Sequence, residues 1–191
     1  MLGVTLAGLL AATAIAEAAD TPRYRAVAVR TMMRGYALEP LAAGDTIRPA
    51  EHMFLEKAVA TGRLQMRLAE LGASQASSSD VRTHAEQLKA DTRQLVDALT
   101  ALIQKKNSTA RQVVESPAMT EIYTTLSSKS GPDFDVQFVR VMSELHEGTI
   151  ALFEQAASEM KDADVRDLAG AQLPMLRAHR NRIVELKKIF D

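Results

Sequence analysis

The clearest candidate ligands in this chain are two methionine and histidine pairs in its last third. Met142 lies four residues before His146, and Met175 lies four residues before His179. Because residues four apart in an α-helix lie on one face, each pair presents a thioether beside an imidazole. Such ligands suit monovalent copper. Methionine is also a common core residue, and a buried histidine is usually satisfied by hydrogen bonds, so core packing is the favoured interpretation and copper the alternative.

The two pairs form one site only if their helices bring them to the same height. If the turn between these helices is centred near Lys161, Met175 lies level with His146, and His179 lies level with Met142. The spacing then predicts a metal site made of these four side chains, for copper or another transition metal. No resident cofactor is predicted beyond this alternative.

Two further polar residues fall on helix faces that are otherwise apolar. Gln65 in the first long predicted helix and Asp91 in the second occupy positions of the inward stripe. His84 shares a face with Asp91, but seven residues are two helical turns, so these two side chains cannot share a proton directly. We therefore predict Gln65 and Asp91 as inward polar groups and assign no role to His84.

The remaining residue types argue against catalysis. A ferritin-like di-iron centre takes a Glu from each of two helices and a Glu-x-x-His motif from each of the other two. No Glu-x-x-His motif occurs in the sequence, which also contains no cysteine. Thiolate metal sites, iron–sulfur clusters and a cysteine nucleophile are thereby excluded. We predict a protein that is not an enzyme.

Composition sets limits on size and partners. The chain has 191 residues, 47% of them hydrophobic, which is enough to bury a core without disulfides or a structural metal. Its formal net charge is -1, and acidic and basic residues are interspersed along the predicted helices. This pattern offers no basic face to nucleic acid and no polybasic segment to a membrane surface. Nucleic acid is therefore not a predicted partner.

The N-terminus has the features of an export signal. Residues 2–15 are apolar and rich in small side chains, and residues 16–18 read Ala-Glu-Ala, a pattern typical of a cleavage site. We predict a signal peptide over residues 1–18, cleaved after Ala18. The apolar run is shorter than the ~20 residues that span a bilayer, so no integral membrane span is expected after cleavage. A periplasmic or extracellular location follows.

The rest of the chain divides into a linker and one helical domain. Residues 19–48 contain glycine and proline without a sustained period, which indicates a linker, and the domain covers 49–191. Apolar spacing predicts four long helices over residues 49–75, 79–106, 132–160 and 163–190, and a short helix that begins at Pro117 behind Ser116. The first two and the last two long helices are joined by short turns. The sequence predicts an all-α, ferritin-like four-helix bundle: two antiparallel hairpins joined by a long crossover with a short helix.

Several runs along the domain form a pattern found in a known family. They are Phe54, Gly62, Gly131-Pro132-Asp133-Phe134-Asp135, Met142, His146, Leu152-Phe153-Glu154 and Leu173-Pro174-x-Leu176-x-x-His179. In order and spacing they resemble the bacterial exported family called domain of unknown function 4142, over roughly residues 50–190. The resemblance implies a ferritin-like bundle in the periplasm or associated with the outer membrane. It implies no activity, because none is established for the family as a whole.

This sequence departs from the family pattern at two polar positions. The family usually has Glu where this chain has Gln65, and an Asp-His pair where this chain has Asp91 and Thr92. A polar cluster drawn from all four helices would therefore lack one carboxylate and one imidazole here.

Two functions from different classes stay open. The first is an exported, non-enzymatic bundle that binds through its surface or serves in an envelope stress response, with an envelope protein as partner. The alternative is a metal-binding bundle that uses inward Met and His residues for copper or another transition metal. An inward cavity near mid-bundle would favour the second function, and closed packing the first.

Overall fold

The computed structural model describes residues 47–106, 108 and 116–190, and the long regular elements within them are all helices. The helices are α1 Pro49–Gln75, α2 Ser79–Lys105, α3 Pro117–Ser127, α4 Gly131–Glu159 and α5 Ala163–Phe190. The all-α prediction is confirmed, and each long helix ends within one residue of its predicted bounds. Among these residues, no helix combines the length and the apolar character that crossing a membrane requires. The predicted signal peptide, and the predicted linker up to residue 46, lie outside the described residues.

Local capping explains where three of the helices begin. The Ser78 hydroxyl accepts a hydrogen bond from the backbone N–H of Val81, and Ser116 caps α3 in the same way. At the start of α5, the carboxylate of Asp162 accepts from the backbone N–H of Val165 at 3.2 Å. Each bond satisfies a donor that has no partner inside the helix. The short turns that separate the paired helices are therefore set by sequence.

Contacts at the helix ends show how the two hairpins are oriented. Glu51, in the first turn of α1, contacts the backbone N–H of Lys161 just after α4. Asp135, in the first turns of α4, contacts Ser77 just after α1. Helices α1 and α4 are therefore antiparallel. We call the end with the α1–α2 turn the upper end and the end with the α4–α5 turn the lower end.

Helices α2 and α5 are antiparallel as well. Asp80 near the start of α2 pairs with Arg182 near the end of α5, and Lys106 pairs with Asp162 at the lower end. Helix α2 thus ends at the lower end while α4 begins at the upper end. The connection between them spans the bundle, and its helix α3 packs against α1 and α4.

The core consists of two apolar clusters separated by polar side chains. The upper cluster includes Leu68, Phe138 and Met142, and the lower cluster includes Phe54 and Phe153. Along α2, α4 and α5, buried polar residues lie between the positions that belong to the two clusters; they are Thr92, His146, Thr149 and His179. The bundle therefore has a polar layer near its middle, at the height where the sequence placed its candidate ligands.

The two hairpins share one structural plan. Arg82 donates to the carbonyls of residues 76 and 77, and Arg166 donates to those of residues 160 and 161. Glu51 and Asp135 hold the opposite turns in the same way. In each case the positions differ by 84 residues, which is also the separation of the hydrogen-bonded Gln65 and Thr149. An 84-residue shift therefore converts the first hairpin into the second.

Two glycines lie in very different surroundings. A Cβ on Gly72 would lie 2.6 Å from Cε2 of Phe138 and 2.8 Å from Cβ of Ala85, whereas a Cβ on Gly170 would meet only Cβ of Ala157 at 4.0 Å. We expect Gly72→Ala to lower the free energy of unfolding by about 1–3 kcal/mol because α1 must move away from its neighbours. Gly170→Ala should raise it by about 0.5–1 kcal/mol through the lower entropy of the unfolded chain. Urea denaturation measures both, and equal effects would contradict this account.

Candidate functional site

Three histidines from three helices meet where the polar layer borders the upper apolar cluster. His84 comes from α2, His146 from α4 and His179 from α5, and their exposed fractions are 5%, 0% and 6%. The His179 ring lies between the others, with its centroid 5.5 Å from that of His84 and 6.0 Å from that of His146. We call these three residues the histidine cluster. It joins the two hairpins, since His84 belongs to the first and the other two to the second.

Hydrogen bonding fixes the proton of His146. Its Nδ1 lies 2.8 Å from the carbonyl oxygen of Met142, and because a carbonyl only accepts, Nδ1 carries the proton. The Nε2 atom of the neutral ring then has a free lone pair. This atom is buried and has no hydrogen-bond partner among the described residues. His146 therefore holds a buried nitrogen lone pair that no hydrogen bond among the described residues uses.

His179 and His84 complete the set of nitrogen atoms. Nε2 of His179 lies 3.0 Å from Oδ2 of Asp91, which orients the ring and leaves Nδ1 with a lone pair when the ring is neutral. The Nε2 atom of His84 is buried and, like that of His146, has no hydrogen-bond partner in the described part of the chain. Asp91 itself is partly exposed at the rim, with 25% of its side chain accessible.

The electrostatics keep the cluster uncharged at neutral pH. Burial lowers the pKa of His84 to about 4, and the neighbouring histidines act in the same direction. Burial also lowers the pKa of His146 to about 4, although its hydrogen bond to the Met142 carbonyl opposes this shift. The pKa of His179 is lowered by burial against the attraction of Asp91. Neutral imidazoles are the form that binds metal ions.

Gln65, predicted as an inward polar group, is buried, and its side chain hydrogen-bonds to Thr149 rather than to a histidine. Its Nε2 donates to the hydroxyl of Thr149 at 3.0 Å, and that hydroxyl donates to the carbonyl of Leu145 at 2.7 Å. The pair therefore forms a closed link between α1 and α4. Asp91, the other predicted inward group, lies at the rim and enters the cluster only through His179.

The two methionines of the predicted metal site lie in opposite apolar clusters. Met142 is fully buried in the upper cluster, and its carbonyl oxygen accepts a hydrogen bond from His146. Met175 is partly buried against the lower cluster. His146 and His179 meet across the α4–α5 pair with ring centroids 6.0 Å apart, and the four-residue site that includes both methionines stays a prediction. Side chains on a helix lean towards its N-terminus, and in antiparallel α4 and α5 this lean brings the two rings together across about one turn.

The place of His84 in the cluster was not predicted from sequence. Two helical turns separate His84 from Asp91 along α2, and in the structure each of them contacts His179 on α5. Nothing in the sequence of α2 indicates a contact with a side chain 95 residues further along the chain. The available signal was weaker: His84 is a polar residue on an otherwise apolar face.

The ring-to-ring distances in the cluster are slightly longer than those of a metal site. A histidine nitrogen binds zinc at about 2.0–2.1 Å, so two imidazoles on one tetrahedral ion have ring centroids about 5 Å apart. The observed 5.5 and 6.0 Å are larger. In this conformation, no three His, Cys, Asp or Glu side chains in residues 47–106, 108 and 116–190 are arranged to hold a metal ion. Binding at this position therefore requires the rings to turn and approach one another.

Fold and site together define a class of protein: an all-helical bundle of two equivalent hairpins with a buried histidine cluster between them. The chain belongs to the family described as domain of unknown function DUF4142, whose model matches residues 37–186. The match begins inside the segment that the sequence predicted as a linker. No curated protein matches the chain.

A solved structure has a similar fold. It is a crystal structure of a DUF305 fragment from Deinococcus radiodurans, with a TM-score of 0.66, 17% sequence identity, and coverage of 74% of this chain and 97% of that one. At this identity the similarity concerns the fold alone.

Proposed function

We propose that this protein is an exported, non-enzymatic helical bundle that binds a transition-metal ion through His84, His146 and His179. The observation that carries the proposal is the Nε2 atom of His146, which is buried without a hydrogen-bond partner among the described residues and lies beside a second neutral imidazole. Leaving a buried polar atom unsatisfied costs about 1–3 kcal/mol. A metal ion drawn between the rings would use this lone pair and those of its neighbours.

The hydrogen bonds around the rings support the same conclusion. A metal-binding histidine usually donates its second N–H to a carboxylate or a backbone carbonyl, which fixes the ring and raises its basicity. His179 has such a partner in Asp91, and His146 has one in the Met142 carbonyl. Two of the three proposed ligands are therefore already oriented in this way.

Comparison of the two hairpins offers further support. Under the 84-residue shift, the equivalent of His84 is Leu168, that of His179 is Leu95, and that of His146 is Gly62. The same height in the other half of the bundle is thus packed without any imidazole. Packing of this fold does not require a histidine cluster, so a binding role is the better account of it.

The ligand set indicates the class of metal. Imidazole nitrogen without thiolate suits Zn²⁺, Cu²⁺ and Ni²⁺, whereas monovalent copper prefers soft sulfur ligands. Because the side chains of Met142 and Met175 pack in the two apolar clusters, the predicted copper(I) site has less support than a site for a divalent ion.

Isothermal titration with Zn²⁺ and Cu²⁺ tests the proposal. The mature protein is freed of metal with a chelator and compared with His146→Ala, His179→Ala and the control His52→Ala, which removes a histidine outside the cluster. We expect one ion per chain in the wild type and in the control, and a 10–100-fold or greater loss of affinity in the two cluster variants. A wild type that binds no ion, or cluster variants that bind as well as the control, would overturn the proposal. Circular dichroism confirms that each variant is folded.

Export and ferritin-like connectivity belong to the same proposal. Export is supported by the apolar segment 2–15 and its cleavage pattern, and N-terminal sequencing of the periplasmic protein should begin at Ala19.

The connectivity is supported by the two antiparallel hairpins and by the α2 to α4 connection that spans the bundle. Binding of an envelope protein is the second candidate function; it is favoured if the wild type takes up no metal.

A further inference from the structure

A groove between α1 and α4 runs the length of the bundle, and its two halves are filled differently. In the upper half, α3 packs against both helices through Met119, Ile122 and Leu126, all of them buried. In the lower half there is a cavity of about 310 Å³. We call this part the lower groove; its lining includes Arg48, Met53, Lys57, Leu152, Met160 and Lys161.

The 84-residue shift makes the lower groove the counterpart of the α3 binding surface. Leu152 corresponds to Leu68, which is 0% exposed in the upper half, whereas Leu152 is partly exposed. Gln155 and Lys57 likewise correspond to Leu71 and Val141, which are each 8% exposed. The lower groove therefore has the position of a packing surface without the segment that would cover it.

We propose that residues 33–46 of the same chain bind in the lower groove. Shifted back by 84 residues, α3 falls on residues 33–43. Residues 44–48 then lead into α1, much as residues 128–130 lead from α3 into α4. The chain enters the described structure at this place, since Ile47 is buried in the lower cluster and Arg48 lines the groove. The family match also starts at residue 37, ten residues before Ile47. These residues themselves lie outside the described part of the chain.

The chemistry of the segment fits the groove. Leu38 and Leu41 are apolar, as are Met53, Leu152 and Met160 in the groove lining. The segment has two acidic residues, Glu39 and Asp45, and one basic residue, Arg34. The groove lining holds three basic side chains, Arg48, Lys57 and Lys161, and two acidic ones, Glu51 and Glu159. The carboxylate of Glu51 already accepts from the backbone N–H groups of the lower turn, so the basic side chains are in excess for an incoming acidic segment. Burial lowers the pKa of Lys57, and an approaching carboxylate would stabilise its charged form. This inference does not depend on metal binding.

Cross-linking in the full chain tests this arrangement, because the protein contains no native cysteine. The double variant Leu38→Cys with Gln155→Cys places one thiol in the segment and one at the lower groove. Its matched control, Leu38→Cys with Ala178→Cys, places the second thiol on an exposed position of α5. With a short bismaleimide we expect the groove pair to form an intramolecular cross-link about tenfold faster than the control, because bound groups have a higher effective concentration.

Each outcome decides the proposal. Faster intramolecular cross-linking at the groove, read by mass spectrometry of monomeric protein, supports it. Equal rates for the two pairs would show that the segment does not bind there. Cross-linked dimers at the groove would assign it to the segment of a second copy and would overturn binding within one chain.

Discussion

Between about pH 6.5 and pH 4 the protein is expected to lose several kcal/mol of its free energy of unfolding. His84 and His146 have pKa values lowered from 6.5 to about 4 in the folded state, chiefly by burial. In the unfolded chain both bind a proton near pH 6.5, so the unfolded state binds more protons throughout this range. Stability is therefore full above pH 6.5 and decreases as the pH falls, by about 3 kcal/mol for each residue.

Urea denaturation at pH 7.5, 6, 5 and 4 measures this loss. Replacing His84 with leucine, the residue at the equivalent position 168, should remove the loss of about 3 kcal/mol assigned to that ring. The lowered pKa values of His146 and His179 should keep the remaining pH dependence. The groups that face His84 include His146, His179 and Arg182, and all three disfavour its protonation. A profile that is flat from pH 7.5 to 4, or unchanged by His84→Leu, would contradict the buried, neutral state of the cluster.

Bound metal should shift this loss of stability to lower pH. An ion held by neutral imidazoles competes with protons for the same lone pairs, so it stabilises the folded state most at neutral pH and is released on acidification. The pH profile of the metal-free protein and the titration with Zn²⁺ therefore test the same three rings by different observables.

The helices were predictable because their signals are local. Ser78, Ser116 and Asp162 each cap a helix through a donor three residues away, and the apolar stripes repeat at the helical period. Short turns between paired helices also restrict the topology to hairpins. These features depend on neighbouring residues, so they can be read directly from the sequence.

The site was less predictable because it depends on contacts between helices. The height and rotation of α2, α4 and α5 bring His146 to His179. The same geometry places Asp91 at the rim and His84 inside. A rotation of α2 by one residue would exchange an inward position for a rim position. Such small differences are not encoded by the apolar period of one helix.

The internal repeat is a signal that the sequence does contain. Identical residues recur 84 positions apart in both hairpins, among them Phe54 and Phe138, Val81 and Val165, Arg82 and Arg166, and Ala85 and Ala169. Aligning the two hairpins on these pairs makes Leu168 the equivalent of His84. The alignment needs only the amino-acid sequence, and it marks this histidine as a departure from the plan that the two hairpins share.

Asp135→Asn is expected to destabilise the protein far more than Glu51→Gln, although the two acids occupy equivalent positions. Asp135 uses both carboxylate oxygens: Oδ1 accepts from the backbone N–H of Ser77 at 3.0 Å, and Oδ2 accepts from the Ser77 hydroxyl and from the N–H of Ser78 at 2.8 Å. An amide offers one acceptor and turns an NH₂ group towards donors. Glu51 holds its turn through Oε1 alone, which accepts from the N–H groups of Lys161 and Asp162.

Because a glutamine oxygen can keep the bonds of Glu51, Glu51→Gln should cost less than about 1 kcal/mol, whereas Asp135→Asn should cost about 2–4 kcal/mol for the lost charged acceptor. Urea denaturation at pH 7 measures both changes, and the double variant should show additive losses because the two turns lie at opposite ends of the bundle. Equal losses from the two single substitutions would mean that the second oxygen of Asp135 contributes nothing to the upper turn. The two hairpins share one arrangement of turn contacts, and this pair of substitutions measures how much the second carboxylate oxygen of Asp135 adds to the stability of the upper turn.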